Sequence, residues 1–402
     1  MRNVYLIGER AGLLERIDTL FNPHFWNVTY IGGPSSRFRN LNNFILIDGL
    51  KQQSFIENLL LNSTLLESID GLTIFGSDSE MAEVVNSDCT IQRKVKLLPA
   101  KESIGFQIMD SKVGFSEIVN KFGVQSPRQF VVHNQMDVAS RLSELSSPVL
   151  LKGDSGGGGA FTEEISQMED IAGLKVSHIH FPCVVQEKIM GEQIALEAFF
   201  WEGELTGYIY SREVEDIRLF GPSFRRVISQ PASLDFIDSL RTLGKALQMH
   251  GLVNCTFILE EGSQQHFLVE FDVRPNIWHH LAPTVGMNAE KLFSAPVNNQ
   301  LETPLTSIRV FSFIRFAQFG SAELNFKIWL GIFRAITDRS MFCIEVGSQE
   351  RLPKFEFALR RIGRFLAFAI LVQAFRKLPV WAQEPFKKRR ITTRISSWIL
   401  GN

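Results

Sequence analysis

A strand-like apolar segment, Val149–Lys152, ends in a lysine and is soon followed by four consecutive glycines, Gly156–Gly159. Because glycine has no Cβ, such a run lets backbone N–H groups approach an anion closely, and Lys152 would add a positive charge beside it. The pattern suits a loop that closes over phosphate groups. It is not a P-loop, since the lysine precedes the glycines and no Gly-Lys-Ser/Thr follows. A flexible surface loop is the alternative interpretation.

A second set of charged residues alternates with apolar ones along a predicted strand. Side chains of a strand alternate between its faces, so Glu270, Asp272 and Arg274 should share one face. The opposite face should carry the apolar residues Val269, Phe271 and Val273. Hard divalent cations prefer carboxylate oxygens, and a neighbouring arginine suits a phosphate. The alternative is a solvated strand face, and the strand alone leaves both interpretations open.

The N-terminal third of the chain is typical of a small α/β domain. Val4–Ile7, Phe44–Ile47 and Leu72–Phe75 are continuously apolar runs, as expected for buried parallel strands. Phe55–Leu66 predicts one crossover helix. The Gly8 and Gly12 pair is a poor match to the dinucleotide-binding fingerprint and predicts an ordinary strand–helix turn.

The middle of the chain contains a well-marked helix before the glycine-rich segment. Residues 110–123 carry one apolar stripe at helical spacing, with Asp110 or Ser111 as the N-cap and Gly123 placed to end the helix. A strand over Phe130–Val132 and a second helix over Asp137–Ser146 follow.

Strand patterns dominate the region after the glycines. Cys183–Ile189 predicts a strand that ends in polar residues, and Pro231–His250 predicts an amphipathic helix. Two hairpins are predicted from pairs of strands separated by glycine-containing turns. They are Ile194–Phe200 with Glu204–Ser211, and Asn254–Glu260 with His266–Val273.

The order and spacing of these motifs resembles the ATP-grasp superfamily, over about residues 106–290. The motifs are an Asp-x-Lys helix start, a Gly-x-x-x-Pro segment, the strand with its glycine-rich loop, QEKIMGEQ and EFDVRPN. The resemblance is closest to the ATP-binding domains of carbamoyl-phosphate synthetase and of carboxylate–amine ligases. It implies two α+β subdomains that hold the nucleotide between them, with the glycine loop as a lid.

The resemblance also assigns roles to individual residues. Lys112 and Lys152 match phosphate-binding lysines, Arg274 matches the arginine that steadies the transferred phosphoryl group, and Glu270 and Asp272 match Mg²⁺ ligands. The remaining ATP-binding positions are the lid glycines Gly156, Gly157, Gly158 and Gly159, the hinge residues Gln186, Glu187, Lys188 and Ile189, and the ribose position Gln193.

Three of these positions depart from the family pattern. Asp272 replaces the usual asparagine and should still bind a cation. Gln193 replaces a common ribose-binding glutamate, and its carboxamide can still hydrogen-bond a hydroxyl. Thr256 stands where the family usually has a carboxylate or a glutamine, so a second metal ion is in doubt.

The activity implied is ATP-dependent carboxylate–amine ligation through an acyl phosphate. The alternative is an ATP-binding regulatory or scaffold protein of the same fold without turnover. Substrate contacts are expected from Arg212 and Arg225 in an arginine-rich segment and from His279 beside the phosphate arginine. For each of these, a structural or surface role is the alternative.

Composition completes the expectations. Four cysteines without CxxC spacing indicate reduced thiols and a cytoplasmic protein.

Three domains are predicted. Residues 1–105 form a Rossmann-like pre-ATP-grasp domain, residues 106–300 form the ATP-grasp domain, and residues 301–402 form a mainly helical, Phe-rich extension. Within the ATP-grasp domain, the lid subdomain covers about residues 106–182 and the second subdomain about residues 183–300. Small-molecule carboxylate and amine partners and a homodimer are expected, and nucleic acid is not.

Charge is concentrated at the C-terminal end. Residues 351–402 hold 12 Lys and Arg against 2 Asp and Glu, a net charge of +10, whereas the whole chain has a net charge of −1. A basic amphipathic helix on an anionic membrane is one interpretation of the segment. The other is a helix packed on the protein body, followed by a solvated basic tail.

Overall fold

The computed structural model describes residues 1–9, 11–33, 43–47, 53–145, 148–156, 161–165, 180–216, 223–296, 298, 300–312 and 341–343. The chain divides into two compact units. One contains residues 1–222 and 226–308, and the other contains residues 223–225 and 309–402. All charged groups discussed below as a site lie in the first unit.

The N-terminal region forms a four-stranded parallel sheet. Its strands are β1 (Arg2–Ile7), β2 (Trp26–Gly32), β3 (Phe44–Leu46) and β4 (Leu72–Phe75), in the order β3-β2-β1-β4. Its helices are α1 (Ala11–Asp18), α2 (Phe55–Leu61), α3 (Ser63–Ser68), α4 (Asp78–Asn86) and α5 (Ile91–Leu97). The three predicted strands are confirmed, and β2 is additional.

The predicted crossover helix over Phe55–Leu66 is wrong in one respect, because it is two helices. Asn62 leaves helical geometry with φ −81° and ψ 78°, and its side chain accepts a hydrogen bond from the Leu65 N–H. Asn62 therefore ends α2 and caps α3, as an asparagine that binds nearby backbone groups often does.

The glycine-rich segment belongs to a second, antiparallel sheet. Its strands are β5 (Gln129–Val132), β6 (Val149–Gly153), β7 (Thr162–Ile165) and β8 (Cys183–Glu187), in the order β5-β8-β6-β7. Helix α6 (Lys112–Phe122) precedes the sheet, and α7 (Gln135–Leu142) lies between β5 and β6. The caps of α6 are as predicted, since Ser111 Oγ accepts from the Gly114 N–H and Gly123 has a φ of 62°.

The largest sheet carries both predicted hairpins, which are confirmed. Its strands in the first unit are β9 (Gly191–Trp201), β10 (Glu204–Asp216), β12 (Gly251–Glu260) and β13 (His266–Asp272), together with β11 (Ser223–Ile228), which begins in the second unit. They lie in the order β13-β12-β9-β10-β11. Helix α8 (Phe236–Leu247) buries Leu240, Leu243 and Leu247 in the same core as one face of this sheet.

A bulge modifies the predicted alternation along β13. The register between β12 and β13 shifts between Thr256 and Phe257, where Thr256 pairs with Glu270 but Phe257 pairs with Leu268. Val269 is therefore the extra residue, and Leu268 takes its predicted place in the core. The prediction for Phe271, Val273 and the charged face is confirmed.

The rest of the described chain contains two 3₁₀ turns, Ser103–Ile108 and Ile277–Leu281, and a short helix α9 (Ala289–Leu292). A parallel pair, β14 (Ile308–Ser312) and β15 (Met341–Cys343), is also described, and all of it except Ile308 belongs to the second unit. The apolar and basic segments predicted over 351–402 lie outside the described residues. Within the described part of the chain, no helix is long and apolar enough to cross a membrane.

Candidate functional site

One face of the largest sheet collects polar residues from three neighbouring strands, β13, β12 and β9. In the sheet register Asp272 on β13 pairs with Asn254 on β12, and Asn254 pairs with Glu197 on β9. The next row joins Glu270, Thr256 and Ala195 in the same way. Since neighbours in a row point to the same side, the predicted charged face of β13 continues across three strands.

The two carboxylates on β13 have few hydrogen-bond donors close to them. Asn254 Nδ2 donates to Asp272 Oδ2 at 3.2 Å, and Thr256 Oγ1 lies 3.4 Å from Glu270 Oε2. Burial and the neighbouring Glu270 charge raise the pKa of Asp272 well above its usual range. Two repelling carboxylates on a partly buried face form an all-oxygen donor set that fits a hard cation such as Mg²⁺.

The donor set is small. No group of three or more His, Cys, Asp or Glu side chains that could hold a metal ion is found among the residues that the structure describes. Thr256, which stands where the family usually has a carboxylate or a glutamine as a metal ligand, offers only a hydroxyl. A Mg²⁺ ion held here would therefore take ligands from Glu270 and Asp272 and complete its shell with oxygens of a bound ligand and water, as Mg²⁺ commonly does.

Arg274 is held by two aspartates. Its Nε donates to Asp78 Oδ2, and its Nη2 lies 3.2 Å from Asp272 Oδ2. These negative neighbours raise the pKa of Arg274, so its guanidinium is charged at all ordinary pH values. The arginine is thus positioned beside the carboxylates before any ligand binds.

Sequence reasoning missed Asp78. It is the first residue of α4 and follows the carboxyl end of β4 after Gly76 and Ser77. Ligands of parallel α/β sheets bind beyond the carboxyl ends of the strands, and that rule could have drawn attention to this position. Asp78 also raises the pKa of Asp110, together with burial, so the two aspartates lie near each other.

The two predicted phosphate lysines come from neighbouring elements, Lys152 from β6 of the second sheet and Lys112 from the start of α6. Burial lowers the pKa of Lys152 to about 8, the charge of Glu270 partly offsets this effect, and the charge of Lys112 adds to it. Lys152 is therefore within electrostatic reach of both residues. No hydrogen-bond or ion-pair partner for its ammonium is found in the described part of the chain, so the charge is available to a ligand.

Lys112 and the start of the glycine-rich loop are tied together. Lys112 Nζ donates to the Gly156 carbonyl at 2.6 Å, and its backbone N–H donates to the Asp154 carbonyl at 2.9 Å. Asp154 Oδ1 accepts from Ser111 Oγ at 2.7 Å and from the Val113 N–H at 2.9 Å. These contacts fix the loop entrance on the N-terminus of α6. Gly157, Gly158 and Gly159 lie outside the described residues.

Gly156 has a specific reason to be glycine. Its φ is +99°, and a Cβ at this position would come within 2.7 Å of the Phe161 ring. A larger residue would meet both backbone strain and a steric clash. The exit of the loop is fixed by the Gly153 N–H, which donates to the Phe161 carbonyl at 2.8 Å.

The predicted hinge connects the second sheet to the largest sheet. Gln186 is buried and donates to Gln129 Oε1 at 2.9 Å, whereas Lys188 Nζ pairs with Glu164 at 2.7 Å. The backbone N–H groups of Glu187 and Lys188 donate to the carbonyls of Arg128 and Pro148. Among the described residues, the Ile189 backbone N–H finds no acceptor, so it is the hinge donor left for a ligand.

A buried ionic network lies beside the hinge. Gln193 Nε2 donates to Glu213 Oε2 at 2.5 Å, Arg226 bridges Glu213 and Glu197 at 2.5 and 2.6 Å, and the Arg226 guanidinium lies 4.8 Å from the centre of the Trp278 ring. The three charged side chains are at most 5% exposed. Burial raises the pKa of Glu197 to about 7, although Arg226 opposes this shift.

The three expected substrate residues are engaged elsewhere. Arg212 pairs with Glu192 at 2.6 Å, and it shares the core face of β10 with Tyr210, opposite Glu213. Arg225 is buried in the second compact unit. His279 is fully buried, its Nδ1 accepts from the Asn276 N–H at 3.0 Å, and burial lowers its pKa to about 3. Arg212 and His279 therefore present no charge to this site, and Arg225 belongs to the other compact unit.

Comparisons with known proteins give a result only at the level of structure. No family model matches the sequence, and no curated protein matches it. Solved structures do match. An N5-carboxyaminoimidazole synthetase from Staphylococcus aureus, complexed with ADP, has a TM-score of 0.57 at 14% identity, over 77% of this chain and 81% of that one.

Two other solved structures illustrate the range of the match. An N5-carboxyaminoimidazole synthase from Aspergillus clavatus, in complex with ADP and 5-aminoimidazole ribonucleotide, has a TM-score of 0.57 at 15% identity over 77% and 81% of the two chains. An L-amino acid ligase from Bacillus licheniformis has a TM-score of 0.54 at 15% identity over 77% and 79%. The fold of this chain is accordingly the ATP-grasp fold, as the resemblance of its motifs implied.

Proposed function

We propose that this ATP-grasp chain is an ATP-dependent ligase that joins a carboxylate to an amine. The observation that carries the proposal is that Lys152, on the strand that leads into the glycine-rich loop, lies within electrostatic reach of both Glu270 and Lys112. A half-buried ammonium with no hydrogen-bond partner in the described residues lowers stability, and so do two carboxylates that repel each other, although Glu270 attracts Lys152. A ligand that brings both a phosphate and a cation would satisfy both groups. MgATP supplies both.

The nucleotide would lie between the second sheet and the largest sheet. The Ile189 N–H can donate to an acceptor on the adenine edge. Gln193, near the beginning of β9, can form a hydrogen bond with the ribose. Lys112 and Lys152 would then face the phosphates. The direction follows from the chain itself, since the hinge leads into β9 and the charged rows lie further along the same strand.

Glu270 and Asp272 would hold the magnesium ion, with Arg274 beside them. Mg²⁺ supplies charge neutralisation to the phosphates when it is bound. Lys152 and Lys112 would offset the remaining phosphate charge and so allow an anionic carboxylate to approach another anion. Arg274 would steady the group being transferred through its guanidinium N–H donors.

In the proposed reaction, an oxygen of the substrate carboxylate attacks the γ-phosphorus of ATP. The bond from that phosphorus to the β,γ-bridging oxygen breaks, and ADP leaves. The amine nitrogen then attacks the acyl carbon, the carbon–oxygen bond to phosphate breaks, and the amine proton passes to solvent. No side-chain nucleophile is needed, and the protein residues orient, neutralise and exclude water.

The solved structures that match this chain support this class of reaction, since they include synthetases with bound ADP and an amino acid ligase. The competing proposal is nucleotide binding without turnover. It is favoured by the hydroxyl of Thr256 at an expected ligand position and by the engagement of Arg274 with Asp78.

ADP release from the full-length protein, with and without Mg²⁺, separates the two proposals. The reaction mixtures would contain ATP with pooled amino acids and pooled small carboxylic acids. Metal-dependent ADP release that requires both an acid and an amine supports ligation. Tight MgATP binding by calorimetry with no ADP release from any pool supports the binding protein.

We further propose a cytoplasmic setting with small-molecule substrates. The predicted membrane contact through residues 351–402 and the predicted homodimer stay predictions. Co-sedimentation of the full chain with anionic vesicles at low and high salt tests the first, because electrostatic attraction to a membrane is screened by salt. Sedimentation velocity over a range of protein concentrations tests the second.

A further inference from the structure

Gln193 and Glu213 face each other across two neighbouring strands. Ile194 on β9 pairs with Arg212 on β10, so Gln193 and Glu213 are the next pair in this antiparallel register. Their side chains meet at 2.5 Å between Gln193 Nε2 and Glu213 Oε2. Both lie on the face that carries Glu197, Glu270 and Asp272, because all of them alternate with core residues along their strands.

The chemistry of the contact fixes the orientation of the Gln193 amide. A carboxylate only accepts hydrogen bonds, whereas a carboxamide has a donating nitrogen on one side and an accepting oxygen on the other. The nitrogen must therefore point to Glu213, and Oε1 must point away from it. With the opposite orientation, two acceptor oxygens would lie at hydrogen-bond distance without a proton between them.

Glu213 is itself held in place. Arg226 Nη2 donates to its other oxygen at 2.5 Å, while Arg226 Nη1 donates to Glu197 at 2.6 Å. The side chains of Glu213 and Arg226 are 4% and 5% exposed, so water competes little for these bonds. The network is thus a rigid support for the half-buried Gln193, whose Oε1 has no hydrogen-bond donor among the residues that the structure describes and can accept from a ligand.

We propose that Glu213 is a positioning residue that presents the Gln193 carbonyl oxygen as a hydrogen-bond acceptor for a hydroxyl group of the nucleotide sugar. The proposal rests on the proposed function, since it takes a ribonucleotide as the ligand. It predicts that the site selects sugars with a donating hydroxyl. It also explains why a glutamate at position 193 would not suit this chain, because it would oppose the Glu213 carboxylate directly.

The test compares ATP with 2′-deoxy-ATP and 3′-deoxy-ATP by calorimetry on the full-length protein. In the unaltered chain, ATP should bind up to about tenfold more tightly than one of the two deoxy analogues, the usual range for one hydrogen bond. In Glu213→Gln, the new amide can turn its oxygen to Arg226 and its nitrogen to Gln193. Gln193 then turns its own nitrogen outward, and the ratio should fall toward one.

A double variant makes the test independent of a loss of folding. Gln193→Glu alone should weaken ATP binding and lower the melting temperature, because it places two carboxylates in contact. Gln193→Glu combined with Glu213→Gln restores one donor and one acceptor across the strands, and should recover the affinity and the ATP preference. Glu192→Gln, which removes a charge from the partly exposed neighbour of Gln193 that pairs with Arg212 on the opposite face, is the matched control and should leave the ratio unchanged.

The outcomes distinguish the two proposals. If the unaltered chain binds none of the three nucleotides, the proposed function is wrong and this inference with it. If ATP binds and a folded Glu213→Gln keeps the original ratio, or if the double variant fails to recover it while Glu192→Gln retains it, the positioning role of Glu213 is wrong and the proposed function stands.

Discussion

Two groups of buried charged side chains lie near the same sheet face, and they differ in whether each charge has an ion-pair or hydrogen-bond partner. In the first, Arg226 is bonded to both Glu197 and Glu213, and Glu213 is bonded to Gln193. In the second, Glu270 and Asp272 repel each other. Lys152 lacks a hydrogen-bond partner in the described residues.

The difference indicates different roles. A buried ion pair whose partners are all present can hold a strand in place, although its net contribution to stability is small. Repelling or unpaired charges lower stability and persist where a ligand completes them. The paired group therefore supports the site, and the incomplete group is the part that binds. The predictions below test this division by removing one charge at a time.

The largest effect on folding is expected in the paired group. Arg226→Met leaves Glu197 and Glu213 buried without their cation and should cost about 3–5 kcal/mol of unfolding free energy, measured by urea denaturation. Arg212→Met is the matched control, because Arg212 also pairs with a glutamate, Glu192, on the same sheet, but its side chain is 54% exposed. That change should cost at most about 1 kcal/mol.

The pH dependence sharpens this prediction. Because the folded pKa of Glu197 is raised to about 7, the unfolded state binds fewer protons than the folded state between about pH 4.5 and 7, and this group lowers stability as the pH rises through that interval. Without Arg226 the loss should be steeper. Adding Glu197→Gln to Arg226→Met should recover part of the stability at pH 7. Equal stability of the two variants at that pH would contradict the assigned pairing.

The next effect concerns turnover in the incomplete group. Glu270→Gln should lower Mg²⁺-dependent ATP consumption about 100-fold or more, the usual cost of removing one group that stabilises a transition state. The melting temperature should stay the same or rise, because the change relieves repulsion with Asp272. The control Glu261→Gln, at an exposed turn position, should change neither quantity. A large drop in melting temperature would place Glu270 in the supporting group.

Much of this arrangement could be read from the sequence, for identifiable reasons. The hairpins and α6 were predictable because their alternation, apolar stripe and caps are local signals. The charged face of β13 followed from the same alternation. The position of Val269 was not predictable, because the bulge depends on pairing with β12 and no residue type marks it.

The parts of the site that escaped prediction are contacts between distant segments. Asp78 meets Arg274 across 196 positions of the chain, and Asp154 meets Val113 across 41. Glu213 and Arg226 were hidden among other charged residues of one arginine-rich segment. The burial of His279 likewise depends on β9, whose Ala198 carbonyl lies 3.4 Å from its Nε2. Such contacts need the folded topology.

A smaller effect is expected from Lys152→Met. Loss of this charge should weaken ATP binding by about 1.5–3 kcal/mol, the range for a hydrogen bond to a charged group, measured by calorimetry. Lys245→Met is the control, since Lys245 is 61% exposed and pairs only loosely with Glu204 at 3.5 Å. Equal ATP affinity in Lys152→Met and Lys245→Met would remove Lys152 from the phosphate site.

The empty protein should respond to Lys152→Met in the opposite sense. Because the folded pKa of Lys152 is lowered to about 8 from an ordinary value of 10.5, the charged ammonium opposes folding. The unfolded state binds more protons between these two values, so this group contributes more stability as the pH rises through that interval. Lys152→Met should therefore melt higher than the unaltered protein at pH 7, and the difference should shrink toward pH 10.

The smallest effect is expected at Asp154, which ties the entrance of the glycine-rich loop to the start of α6. Its carboxylate accepts from the Val113 N–H at the start of α6 and from Ser111 Oγ, so it acts as a cap supplied from the loop. Asp154→Ala should cost about 1 kcal/mol of stability, as the loss of a helix cap does. It should also weaken ATP binding, because the loop entrance that leads to Gly156 loses its side-chain bonds to Ser111 and Val113 at the start of α6.

Asn134→Ala provides the comparison, because Asn134 caps α7 through the Asp137 N–H and makes no hydrogen bond to the loop residues that the structure describes. Both variants lose one cap and should lose similar stability, but only Asp154→Ala should lose ATP affinity. If the two variants bind ATP equally well at matched stability, the loop entrance does not depend on α6. The position of Lys152 and of the carboxylates on β13 would then depend on the sheets alone. The contacts between Asp154 and α6 would have no part in ATP binding.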